Sequence, residues 1–433
     1  MMNKYSKILI ISNNCFSKTD SNGRTLAGFF KGYPKEKLAQ FYLQNAVPDF
    51  EICDNYFRVT DSQALRAFLK NRKTGGKVKE EGFQQSADAV AIKKKSRKRT
   101  PFTMLLRETV WNSRKWWGKD FEEWINAFAP EIVLLQMGDN AFMLKIATDI
   151  AQKNAIPLMI YNSENYYFKD KNYMRNSGIA TVLYPTFIKK YRKQFDKTIE
   201  YTAHSVYICE ELKKTYDEKF HKNSTAIYTA SSLAPTCAER EKNPVPVISY
   251  LGNLGVGRHE PLIEIAEALY ALDSAYRLDV YGRFPNEEVK KRILDCKGIR
   301  YNGFVSYEEV VAVMKRSDLL VHAENFSPFY KEDLKFAFST KIADSLSCGS
   351  VLLYYAPREL ASTKYLSEHG AAYVVSEKEE LAKTLSMALN DKKTRETVRQ
   401  NALELAKENH DAEKNREKFW GIIEKVCYED SAN

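Results

Sequence analysis

The chain has 433 residues, 44% of them hydrophobic and 28% charged, and carries a formal net charge of +10. That balance excludes a disordered, fibrous or disulfide-dense protein, and the length exceeds one ordinary core, so two domains are expected. No run approaches the ~18 uninterrupted apolar residues of a membrane-spanning helix, and the apolar run after Lys7 is too short for a secretory leader.

Residues 7–13 read as a buried strand and 14–22 as a polar loop, after which Gly23-Arg24 opens a short helix over 25–31. Strand, glycine and helix in that order begin a doubly wound α/β domain. A strand over 38–43 and a helix capped by Asp61 follow. Residues 72–100 lose periodicity and gain Lys, Gly, Gln and Ser, which predicts a flexible surface insertion. Between Lys93 and Lys119, ten Lys or Arg stand against one acid, Glu108, interleaved with Phe102, Leu105, Leu106, Trp111, Trp116 and Trp117. A basic face with aromatic residues suits an anionic membrane surface; a solvated helix with a charged lead-in is the plainer reading. Nucleic acid is not expected, because no binding module accompanies the run.

Helical spacing continues over 103–128, with Pro130 at the exit. Then come strand 132–137, helix 139–154, strand 156–163 ending at Glu164, helix 183–201, strand 205–209, helix 210–219 and strand 226–230. This alternation implies a parallel sheet with helices on both faces. The seven cysteines are scattered and lack CxxC spacing, which predicts reduced thiols in a cytoplasm and no structural zinc.

Residues 233–246 hold Pro235, Pro244 and Pro246 without any period and read as a linker. The apolar run 245–251 then breaks into Gly252-Asn-Leu-Gly255-Val-Gly257-Arg258, and an amphipathic helix occupies 260–272. Such a turn aims backbone N–H groups and the positive end of a helix dipole at whatever lies above it. Glycines let a diphosphate approach, and Arg258 adds charge-assisted hydrogen bonds; similar turns also exist for packing alone. Strand 278–281, helix 286–296 and strand 299–304 come next. Ser306-Tyr-Glu-Glu309 is a capping box opening a helix to residue 315. Strand 319–323, the loop 325–338, a helix capped by Ser339 and stopped at Gly349, and strand 351–355 follow. Helix 358–369 stops at Gly370 before strand 372–375, and a second capping box, Ser376-Glu-Lys-Glu379, opens the next helix. The last ~40 residues read as helical, and Phe419-Trp420-Gly-Ile-Ile423 gives the terminal helix an apolar face that must dock.

These motifs, taken together, resemble glycosyltransferase family four and the GT-B architecture. The residues that carry the likeness are Tyr250-Leu-Gly-Asn-Leu-Gly-Val-Gly-Arg258, Val280-Tyr-Gly282, Asn302-Gly-Phe-Val-Ser306, Asp318-Leu-Leu-Val-His-Ala-Glu324 and Phe338-Ser-Thr-Lys-Ile-Ala-Asp-Ser-Leu-Ser-Cys-Gly349. A looser likeness in the first half rests on Ser17-Lys-Thr-Asp-Ser-Asn-Gly-Arg24, Leu135-Gln-Met-Gly138 and Tyr161-Asn-Ser-Glu-Asn-Tyr166. The resemblance implies an α/β fold of two Rossmann-like doubly wound domains facing a central cleft. The expected division is an acceptor-binding domain over 1–232, with a basic insertion over about 72–119, then the linker 233–246. A nucleotide-sugar-binding domain over 247–410 follows, and a terminal helix over 411–433 packs back on the first domain.

Residue by residue, the family's diphosphate-binding lysine falls at Arg258 and its companion arginine at Asn253, which leaves one phosphate charge to Lys341 or Arg283. The family's second acid falls at Asp344, implied to hold the ribose. The position matching the first acid is Phe336, so the implied sugar-contacting acid is Glu324, with Glu332 and Asp333 as rivals. Gly252 and Gly255 shape the diphosphate turn, and Val305 lies where the base would stack. Catalytic roles fall to Glu324, Arg258 and Lys341. Asp139, Asn140 and Glu164 at strand ends, with Gly23 and Arg24, are acceptor-side candidates; the Gly23-Arg24 turn either binds phosphate or is simply a turn. His322 reads as a core histidine and Cys348 as a packed thiol.

The implied reaction is retaining transfer of a hexose or N-acetylhexosamine from a UDP-sugar, or a GDP-sugar, to a saccharide or lipid-linked saccharide. It needs no cofactor or metal and runs at the cytoplasmic face of a membrane bound through Lys93–Lys119. A nucleotide-sugar epimerase and a non-catalytic sugar-nucleotide-binding protein are the alternatives.

Overall fold

The computed structural model describes residues 5–18, 20–70, 74–80, 99–174, 178–236 and 243–429. Most of the predicted insertion, including the lysines at 93–98, and the middle of the predicted linker lie outside them. The chain divides into two compact units, Met1–Ile227 with Arg416–Asn433, and Tyr228–Asn415.

The first unit is built on β1 (Ile8–Ser12), β2 (Leu38–Tyr42), β3 (Tyr56–Arg58), β4 (Gly76–Val78), β5 (Ile132–Gln136), β6 (Leu158–Asn162), β7 (Thr202–Tyr207) and β8 (Ser224–Ala226). They form one sheet in the order β4-β3-β2-β1-β5-β6-β7-β8, parallel throughout except for the antiparallel edge strand β4. Strands β1, β2, β5 and β6 are buried along their whole length, as expected of parallel strands covered on both faces. Ile8 pairs with Leu38 on one side and Ile132 on the other, so the order reverses direction between β1 and β5.

Three details differ from the sequence reading. The edge strand β4 lies within the stretch expected to be a flexible insertion; its pairing partner β3 is only three residues long, too short to carry an alternating signal. The single helix expected over 103–128 is two, Pro101–Asn112 and Lys119–Phe128. Arg114 takes a positive φ of 58° between them, and Trp116 folds back so that its Nε1 donates to the Trp111 carbonyl at 2.9 Å. Finally, Gly23 and Arg24 stand inside the helix Ser21–Phe30 and do not form a turn. A Cβ on Gly23 would lie 2.2 Å from the Cys15 carbonyl oxygen, so that glycine serves helix packing.

The terminal helix Ala412–Glu429 completes this unit's core. Phe419 is fully buried and stacks on Phe29 at 4.4 Å, and Trp420 donates to the Phe29 carbonyl at 2.6 Å.

The second unit carries β9 (Ile248–Leu251), β10 (Leu278–Tyr281), β11 (Ile299–Tyr301), β12 (Leu319–Ala323), β13 (Val351–Tyr355) and β14 (Tyr373–Val375), all parallel, in the order β11-β10-β9-β12-β13-β14. Here Tyr250 pairs with Val280 and with Val321, and the order reverses between β9 and β12. Ser306 caps its helix as expected, accepting from the Glu309 N–H. Ser376 does not cap: its hydroxyl donates to the Ala356 carbonyl, and the helix Lys378–Asn390 starts without a side-chain cap. His410, buried, bridges the Thr229 carbonyl and the Tyr365 hydroxyl at 2.7 and 3.0 Å, fastening the first residues of the unit to its last helices.

Candidate functional site

In a doubly wound sheet the two loops leaving the reversal point diverge, and the crevice they open at the strands' C-terminal ends is where ligands bind. In the second unit those loops follow β9 and β12. The first is the glycine turn. Tyr250 fastens it by donating to the Asn253 carbonyl at 2.8 Å, while Asn253 Oδ1 accepts the Gly255 N–H at 2.8 Å. The Gly255 amide is therefore occupied by Asn253. Val256 and Gly257 both take positive φ, 59° and 70°. For a β-branched residue that is a strained conformation, of the kind that persists where surrounding structure imposes it. The helix His259–Leu272 begins at Arg258, its N-cap residue.

The second loop brings Glu324 and Asn325. Arg258 and Glu324 form a two-pronged ion pair, Nε to Oε2 at 2.9 Å and Nη2 to Oε1 at 2.8 Å. Their side chains are only 16% and 6% exposed. Oε1 also accepts from His322 Nε2 at 3.0 Å, and the His322 ring stacks flat on Tyr354. Burial opposes charge on both partners but is outweighed: Glu324 raises the guanidinium pKa, and the His322 hydrogen bond together with the Arg258 charge holds the Glu324 carboxyl below its ordinary value. Burial lowers the His322 pKa; the hydrogen bond and charge of Glu324 oppose this, Arg258 and Lys341 reinforce it, and the net downward shift leaves the imidazole neutral at pH 7. Asn325 reaches across to the Gly257 carbonyl at 2.9 Å and to Glu260 at 2.6 Å, locking the two loops together.

Among the sequence candidates, the structure thus joins Arg258 to Glu324, with Lys341 acting on the same histidine from the first turn of the helix Thr340–Ser347. Asp344 sits buried in that helix, and its Oδ1 accepts from the Ser231 hydroxyl at 2.8 Å. Arg283 is exposed and lies over the exposed Phe304 ring at 3.8 Å, next to Val305. His322 and Asn325 had not been singled out as site residues. The available signal was a run of polar side chains at the end of an otherwise apolar strand. Among the described residues, no group of three or more His, Cys, Asp or Glu is placed to hold a metal.

In the first unit the reversal point lies between β1 and β5, where Asn13, Gly138, Asp139 and Asn140 gather. Asp139 accepts from Arg99 and from the Tyr173 hydroxyl; Asn140 accepts from Arg107 and donates to Asn13 at 3.3 Å. Glu164, after β6, is exposed, as is Arg24. The basic stretch is drawn inward: Arg99, Arg107 and Arg114 pair with Asp139, Asp61 and Asp149. Trp111 and Trp116 are buried, which corrects the expectation of an aromatic outer face, while Phe102 and Leu106 stay 53% and 51% exposed. A cavity of about 580 Å³ on this unit is walled in part by Phe68, Glu108, Asn112, Lys145 and Gln194. Burial pushes the Glu108 carboxyl up to about 7.

Residues 258–420 match the family model described as Glycosyl transferase-like. The match starts at Arg258 and includes Glu324, Lys341 and Asp344. Solved structures similar to the chain include Anabaena HepE in complex with UDP, at TM-score 0.60 and 12% identity, covering 97% of this chain and 100% of that one. A glycosyltransferase from Rickettsia africae matches at 0.61 and 13%, covering 98% and 100%. The sucrose-phosphate synthase of Thermosynechococcus elongatus matches at 0.59 and 10%, covering 97% and 98%. At such identities the likeness shows the fold, two Rossmann-like domains of the GT-B class. Among curated protein sequences nothing matches.

Proposed function

We propose that the protein is a glycosyltransferase that takes a UDP-sugar on its second unit and transfers a hexose or N-acetylhexosamine, with retention, to a saccharide or lipid-linked saccharide acceptor. One observation carries this reading: the Arg258–Glu324 pair stands at the reversal point of the β9/β12 sheet, at a helix N-terminus, in the stretch that is Glycosyl transferase-like. The similar HepE structures, solved with UDP, with UDP and glucose, and with UDP-glucose, support the choice of donor.

In this reading the bond from the anomeric carbon to the diphosphate oxygen breaks with its electron pair going to the diphosphate. Arg258, Lys341 and the helix dipole stabilise the charge that gathers there, so no metal is required. Glu324 contacts the transferred sugar. The acceptor hydroxyl attacks from the face the diphosphate leaves, and its proton passes to the departing phosphate oxygen. Asp344, released from Ser231, holds the ribose, and Val305 and Arg283 flank the base. Asp139 and Asn140 after β5, with the exposed Arg24 and Glu164, serve the acceptor on the first unit.

Peripheral binding to an anionic membrane at its cytoplasmic face belongs to the proposal. It is supported by the exposed Phe102 and Leu106 beside the lysine-rich residues 93–98; among the described residues no helix is long and apolar enough to cross a membrane. Deleting residues 93–98 is expected to release the protein from anionic vesicles, and unchanged binding counts against the membrane reading.

For the donor, calorimetry with UDP on the full chain is the test. The variant R258Q/E324Q removes both charges at once and leaves neither buried alone; it is expected to bind UDP at least tenfold more weakly than wild type. Equal affinity refutes the donor assignment, and conversion of a UDP-sugar to its isomer without an acceptor makes the protein an epimerase.

A further inference from the structure

His322 is the one titratable side chain in the otherwise apolar strand Leu319–Ala323, and it is buried. The groups that face it come from four places. Glu324 follows on its own strand, Arg258 comes from the turn after β9, Lys341 from the helix Thr340–Ser347, and Tyr354 from its register partner position on β13. Because a carboxylate only accepts, the His322 Nε2 must carry the hydrogen that bonds Glu324 Oε1, leaving Nδ1 as the acceptor of the neutral ring. The cluster is then balanced, with one cation on Arg258, one anion on Glu324 and a neutral imidazole. An Arg258 whose charge is already matched by Glu324 is a weak receptor for a diphosphate.

We propose that His322 is a positioning residue for the donor: when a diphosphate docks on Arg258, His322 takes up a proton and becomes the counter-ion of Glu324, freeing the guanidinium for the phosphate. The inference rests on the donor-binding reading above. Its physical basis is reciprocal. The arriving anion cancels the repulsion that Arg258 exerts on an imidazolium, and the imidazolium in turn keeps the buried Glu324 carboxylate paired while Arg258 turns away. Proton uptake at His322 and diphosphate binding are therefore coupled, and each must favour the other.

Calorimetry of UDP binding to the full chain at pH 7, in two buffers of different ionisation enthalpy, counts the protons taken up. The comparison is H322N, whose side chain is polar but cannot titrate. Subtracting the two removes protons exchanged by UDP itself. Wild type is expected to take up more protons per UDP than H322N, by up to one. Its UDP affinity should also fall as pH rises, by up to about tenfold per pH unit in the interval where the imidazole of the complex titrates. In H322N that part of the pH dependence is lost. A merely structural histidine would change affinity or stability without changing the proton count.

Equal proton counts in two proteins that both bind UDP overturn the proposal. If H322N does not fold, wild type decides alone: no uptake beyond that of UDP's own phosphate overturns it. Absence of UDP binding by wild type is a different outcome, which removes the donor reading and this inference with it.

Discussion

Breaking the Arg258–Glu324 pair from one side and from both sides should give very different costs. The two groups share two charged hydrogen bonds at 2.9 and 2.8 Å, and little of either side chain reaches water. Replacing one partner by glutamine leaves the other charged and buried, which costs about 3–5 kcal/mol. Replacing both removes the uncompensated charge, so R258Q/E324Q is expected to recover about 2–3 kcal/mol relative to the sum of the singles. The assay is urea denaturation followed by far-ultraviolet circular dichroism. An internal reference is available because all five tryptophans (111, 116, 117, 124 and 420) lie in the first unit. Tryptophan fluorescence therefore reports on the unit that holds neither Arg258 nor Glu324. Singles that sum to the double within about 0.5 kcal/mol would show the two side chains to be independent, and the description of the site as one charged cluster would fail.

Three further outcomes follow from the coordinates. At Gly257, φ is +70° and a Cβ would lie 2.6 Å from Asn325 Nδ2, whereas Gly303 has a similar φ of +83° with nothing within 4 Å. G303A should therefore lose only the left-handed penalty of about 1–2 kcal/mol, and G257A more than that along with UDP affinity; equal losses in denaturation would mean that the Asn325 contact yields freely. F419A removes a fully buried ring stacked on Phe29 and should cost about 3–5 kcal/mol, seen as an earlier tryptophan-fluorescence transition; an unmoved transition would mean that the terminal helix is dispensable to the first unit. Glu108 is pushed up from 4.5 to about 7 by burial, so its contribution is fully present below about pH 4.5 and is lost as pH rises through 7. E108Q should accordingly match wild type near pH 4 and exceed it at pH 8 by up to about 3 kcal/mol in urea denaturation; a constant difference at both pH values would refute the shift.

The alternation of strand and helix was legible because parallel strands covered on both faces are nearly continuous apolar runs, as Ile8–Ser12 and Leu319–Ala323 are, set between segments of helical period. Helix starts and stops were equally local: Ser306 and Ser339 cap, and Gly349 and Gly370 take the positive φ that ends a helix. Arg258 could be singled out by its place after a glycine turn, and Glu324 by its place at a strand's end. What local patterning cannot carry is which strand ends meet. That depended on β9 lying between β10 and β12, which brings Arg258 against Glu324 across 66 residues and sets His322 behind them. The same long-range pairing turned Asp344 toward Ser231, 113 residues away, and drew Arg99, Arg107 and Arg114 out of an apparently uniform basic surface into ion pairs. A sequence records the period of each element, because period is a property of neighbours along the chain. The partners of buried charges are chosen only when the sheet order is complete, since only then is it decided which groups lose water together.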